Sequence, residues 1–188
     1  MTRSLVTAIA LFSGLTTASW ALDNTSMIEM LGSGNEARVG QRGDANNMST
    51  VKQDGTDSRA HVDQFSANST DQNENTSSIE QIGTGHFVEV SQGGAGNTNV
   101  SEIELGGSSN SVQIRQYEQF NDNYTRVEAT GGSDNSISVT QGGTGNTSSS
   151  TVVIDGSKQH GLGIAALTPH AAHFCRDGRH RFRPPPRH

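Results

Sequence analysis

The sequence predicts an all-β fold. It reads as a β-solenoid of about five strand–turn–strand repeats, each of roughly 22–28 residues, followed by a tail expected to be disordered. Three observations carry this. A frame of Asn, Gln, Gly and small residues recurs along the chain. Within each copy the aliphatic residues keep to one parity. Short turns rich in Gly, Asn, Ser and Asp separate the half-copies.

The frame is clearest from Asn47: Asn47-x5-Gln53-x-Gly55-x2-Ser58-x-Ala60-x3-Gln64. It fits again as Asn24-x5-Met30-x-Gly32-x2-Asn35-x-Ala37-x3-Gln41, and as Asn75-x5-Gln81-x-Gly83-x2-His86-x-Val88-x3-Gln92. Two looser copies run from Asn97 through Ile103 and Asn110 to Gln116, and from Asn123 through Ala129 and Asn135 to Gln141. A partial sixth begins at Asn146, and the successive starts are unevenly spaced.

Alternation then assigns faces, because successive side chains of a strand point to opposite sides. The expected interior aliphatics are Ile28 and Val39; Val51 and Val62; Ile79, Val88 and Val90; Val112 and Ile114; Val127, Ile137 and Val139. Intervening positions are mostly polar or charged, such as Lys52, Arg59, Asp63, Glu80 and Arg115. Between strands, Asp54-Gly55-Thr56-Asp57 and Gly93-Gly94-Ala95-Gly96 are turn-formers, and Gly tolerates positive φ. Stacking such rungs about 4.8 Å apart puts Asn over Asn and Gln over Gln, where side-chain amides can donate and accept along the stack. The expected ladder is Asn24, Asn35 and Gln41; Asn47, Gln53 and Gln64; Asn75, Gln81 and Gln92; Asn97, Asn110 and Gln116; Asn123, Asn135 and Gln141.

Arrangement is what rescues this composition from disorder. Leu, Ile, Val and Phe make only 35 of 188 residues, too little for an ordinary globular core. Residues 1–21 stand apart: Arg3, an apolar run, and small residues Ser19 and Ala21 at −3 and −1 read as a secretory signal peptide. The repeat region is then 22–157 and the tail 158–188. One cysteine, Cys175, offers no internal disulfide to an exported chain. The repeat region carries six basic and 18 acidic residues, a net of −12, which argues against nucleic-acid binding there. The tail carries six basic residues and one acid, a net of +5.

A stack of near-identical rungs is as complementary to another molecule as to itself, so its open ends imply non-closing, head-to-tail growth into filaments. The frame Asn/Ser-x5-Gln-x-Gly-x2-Asn/Ser-x-Ala-x3-Gln, across residues 24–152, resembles the repeat of the curlin family, the major and minor subunits of bacterial curli. The resemblance implies cross-β amyloid fibres on the cell surface, with roles in adhesion and biofilm. It implies periplasmic chaperones, an outer-membrane secretion channel and a second curlin subunit as partners. It also implies that the stacked Asn and Gln positions drive polymerisation, with Met30, Ile103 and Ala129 standing where the family has Gln. The alternatives are a monomeric secreted β-solenoid adhesin or surface-binding module, and the nucleator or anchor subunit of the fibre.

No enzyme, cofactor or metal is expected. His61 falls on the outward parity and His86 on a repeat position, so neither joins a nucleophile and base. The two Gly-rich runs lack the Asp and the tandem nine-residue spacing of calcium β-rolls. The tail's histidines, Cys175 and arginines read as a basic segment that could meet an anionic surface.

Overall fold

The computed structural model describes residues 24–159 apart from 44–45, 67–72, 118–119 and 146, and the strand backbones at 162–166 and 171–177. The expected signal peptide lies outside the described residues. Those residues form a parallel β-solenoid without helix. Rung one comprises β1 (Thr25–Ser33) and β2 (Glu36–Arg42), and rung two β3 (Asn46–Thr56) and β4 (Arg59–Ser66). Rung three holds β5 (Glu74–Thr84) and β6 (Phe87–Gly94), rung four β7 (Thr98–Leu105) and β8 (Ser111–Gln116), and rung five β9 (Asp122–Thr130) and β10 (Ser136–Gln141).

Each strand pairs with the strand two later, always in parallel, so odd and even strands build two separate sheets in sequence order. Pairing continues past the boundary drawn at residue 157. Strand β11 (Thr147–Asp155) and β13 (Ala171–Asp177) extend the odd sheet, and β12 (Leu162–Ala166) extends the even one.

Between the sheets lies a thin core of columns running along the stack. One is Ile28, Val51, Ile79, Ile103, Val127 and Val152. Facing it are Val39, Val62, Val90, Ile114 and Val139, beside Ala37, Ala60, Val88, Val112 and Ile137. From rung two onward these side chains are at most 3% exposed, whereas Ile28, Ala37 and Val39 are only partly buried. Among the described residues the first rung has neighbours on one side only.

The turns need glycine where the backbone comes closest. Gly32, Gly55, Gly83 and Gly107 stack at the first corner with φ of 103°, 154°, 129° and 82°. A Cβ on any of them would strike the carbonyl oxygen of the glycine in the following rung.

Register corrects the phasing of the fourth copy. Asn75 pairs with Asn99, not Asn97. The step from Asn75 to Asn99 therefore equals the step from Asn99 to Asn123, where the frame had made one short and one long. Ile103 pairs with Ile79 as an aliphatic, and it is Leu105 that takes the position of Gln81. At the sixth copy Ser148 pairs with Asn123, where the frame had placed Asn146.

Candidate functional site

Four polar columns run along the stack over three or more rungs, each at a point where a strand ends or turns. The first is glutamine, at the end of the even strands. Gln41 Nε2 donates to Gln64 Oε1 at 2.9 Å, Gln64 to Gln92 at 2.9 Å, Gln92 to Gln116 at 2.8 Å, and Gln116 to Gln141 at 2.8 Å. Each amide also donates to a backbone carbonyl, as Gln64 does to Met48 and Asn75. From rung four the opposite sheet donates to the column as well: Ser101 Oγ bonds to Gln116 Oε1 and Thr125 Oγ1 to Gln141 Oε1.

The second column is asparagine, at the start of the odd strands, and it runs the other way. Asn47 Nδ2 donates back to Asn24 Oδ1 at 2.9 Å, Asn75 to Asn47 at 2.8 Å, Asn99 to Asn75 at 2.8 Å, and Asn123 to Asn99 at 2.9 Å. The two amide chains thus point in opposite directions along the axis, so their dipoles oppose each other instead of adding.

The remaining columns sit at the corners and bond side chain to backbone. At one corner the side chain of each rung accepts the backbone N–H of the next: Asn35 from Ser58, Ser58 from His86, His86 from Asn110, Asn110 from Asn135, and Asn135 from Gln159. At the other corner Asn73 accepts from Asn97 N–H at 2.8 Å and Asn97 from Asn121 N–H at 2.9 Å. Asn97, expected to open a strand, is thus a corner residue. Asn73, Asn99 and Asn121 escaped the frame, although Asn-x-Asn at 73–75, 97–99 and 121–123 marks both columns at once.

The expected ladder is therefore distributed over several columns. Gln53 and Gln81 form a short one of their own, joined at 2.7 Å. It is broken on both sides: Met30 stands below Gln53, and Leu105, Ala129 and Ile154 stand above Gln81. Gln53 Oε1 is consequently buried with no hydrogen-bond partner, since Met30 has no donor to offer. Asn123 Oδ1 is orphaned in the same way where Ser148 replaces asparagine.

His86 occupies an asparagine-like place and is 1% exposed. Its Nε2–H donates to the Ile82 carbonyl at 3.2 Å, while Nδ1 accepts from the Asn110 N–H at 3.4 Å. Only the neutral ring can do both. Burial accordingly pushes its pKa below the ordinary 6.5, against the opposing pull of the Ile82 carbonyl.

A family model for the curlin-associated repeat matches residues 32–65. The chain carries a curlin repeat. That match supports assignment to the curlin family, and it spans the first glycine corner, β2, β3 and most of β4. It includes Asn35, Gln41, Asn47, Gln53 and Gln64. No curated protein and no solved structure matches the chain. The curlin repeat and the solenoid together fit a curli-type structural protein.

Proposed function

We propose that this protein is a structural subunit of an extracellular curli-type amyloid fibre, assembled by end-to-end stacking of solenoid rungs. One observation carries the reading: among the described residues the columns stop at rung one without closing. β1 and β2 are the first strands of their sheets, unpaired on their outer edges among the described residues. Ile28, Ala37 and Val39 are half-covered there, and Asn24 is exposed. A rung from a second copy would extend the Gln and Asn columns, pair both edges and cover the aliphatics in one step.

Under this reading the Asn and Gln columns are the assembly determinants, and the partners are other copies of the chain and a second curlin subunit. The reading carries with it export through the periplasm with chaperones and an outer-membrane channel, and service in adhesion and biofilm matrix, as the resemblance to curlins implies. The protein has no catalytic role in this proposal.

Seeding tests it. Purified protein should polymerise after a lag that sonicated fibres abolish, with fibre diffraction at about 4.7 Å and about 10 Å. A protein that stays monomeric, and whose kinetics ignore seeds, is a capped binding module instead.

A further inference from the structure

The two outer faces of the solenoid carry different charge. Across β1 to β11 the odd-strand sheet presents nine carboxylates and two cations, a net of −7. Across β2 to β10 the even-strand sheet presents three carboxylates and four arginines, a net of +1. The acidic charge is concentrated by register: Glu80, Glu104 and Glu128 stand directly over one another on β5, β7 and β9. Adjacent strands lie about 4.8 Å apart, and like charges stacked in register are destabilising.

Compensation within the described residues reaches only the ends of this stripe. Lys52 meets Glu80 at 2.7 Å and Arg126 meets Glu128 at 3.4 Å. Glu102 accepts from the Tyr124 hydroxyl at 2.9 Å, and among the described residues neither it nor Glu104 forms an ion pair. Between this stripe and the neighbouring column of Ser78, Glu102 and Arg126 runs an open groove of about 180 Å³, lined also by Val127.

We infer that the arginine-rich C-terminal segment, residues 178–188, docks on this acidic face of its own chain. Charge complementarity is the first argument: the segment holds Arg179, Arg181, Arg183 and Arg187 and no acid, a net of +4. The second is where the described chain ends. β13 closes at Asp177 as the last strand of the same odd sheet, two strands beyond β9 and four beyond β5. Those separations are about 10 and about 19 Å, while eleven extended residues reach about 36 Å. The covalent connection makes the encounter intramolecular, which raises the effective concentration of the segment at this face. Guanidinium groups stay charged throughout the physiological range and fork onto carboxylates, which suits them to a column of Glu side chains. The inference is independent of fibre growth, because it concerns one chain.

Zero-length carboxyl–amine coupling of the full chain carrying Arg181→Lys tests it, with the products mapped by mass spectrometry. The tail lysine should couple to Glu102, Glu104 or Glu128 in preference to Glu36, Asp63 and Glu89 of the opposite face. The preference should disappear at about 1 M salt, where the Debye length is about 3 Å. It should also disappear in Glu102→Lys/Glu104→Lys, whose solvent-facing substitutions leave the interior columns intact. Equal coupling to both faces, or an unchanged pattern in the charge-reversed variant, overturns the proposal. An equal mixture of light and heavy-isotope chains separates the sources. Products confined to single chains support docking in cis, and mixed products overturn it.

Discussion

Single side chains decide where the columns hold and where they fail. Gln92 spends its amide on the Thr76 carbonyl, Ser101 Oγ and Gln116 Oε1, and accepts from Gln64. Gln92→Ala should therefore cost about 3 kcal/mol, a cavity plus unmet polar partners, read from chemical denaturation. Met30 has the converse effect, because it leaves Gln53 Oε1 buried and unpaired. Met30→Gln should stabilise by about 1 kcal/mol, raising the thermal midpoint by about 2–4 °C. His86 adds a pH dependence. Its pKa is depressed in the fold, so acid protonates the unfolded chain first. Its contribution is then complete above the ordinary 6.5 and lost as pH falls below it. Thermal midpoints taken between pH 8 and pH 5 should show this loss, and His86→Asn should reduce it.

At the scale of the element, strand and corner are held by different devices. Strands gain from aliphatic columns buried between two sheets, and corners from asparagines that accept the next rung's N–H. The glycine corner admits no side chain, since Gly83 has φ 129° and its Cβ would strike the Gly107 carbonyl. Gly83→Ala should cost more than the about 1–3 kcal/mol of backbone strain alone, because the rungs must also part. Circular dichroism melts against a Gly145→Ala control, where φ is positive but the site is open, would separate clash from strain. Outward positions tolerate more, which is why Phe65 can lay its ring where a Cβ on Gly93 would go.

For the whole molecule, the open first rung is the feature on which assembly turns. A lysine grafted at Val51 or at Val127 cannot report on which end of the solenoid grows. Both sit in one interior column at 0% and 1% exposure, so either would unfold its rung. Ile28 is the better position, being partly buried at the end of the same column. Ile28→Lys should keep β-structure by circular dichroism yet slow seeded elongation, whereas Val127→Lys should lose the structure itself.

Alternation was legible in the sequence because it is local. The parity of Val51, Val62, Val90 and Ile114 assigns their faces without knowledge of any partner. The repeat frame, with its glycine corners and glutamine ends, likewise follows from residues close in the chain. Phase between rungs does not. Asn97 and Asn99 are both asparagine two positions apart, and a shift of two preserves parity, so alternation cannot choose between them. Only pairing against Asn75 decided it, moving Asn97 to the corner, Ile103 into the core and Leu105 into the place of glutamine. The directions of the amide columns, and the orphaned oxygens of Gln53 and Asn123, belong to tertiary structure for the same reason. A hydrogen bond between rungs depends on what stands a full rung away along the chain, as Gln53 depends on Met30 and Gln81, and chain-local patterns carry no register over that separation.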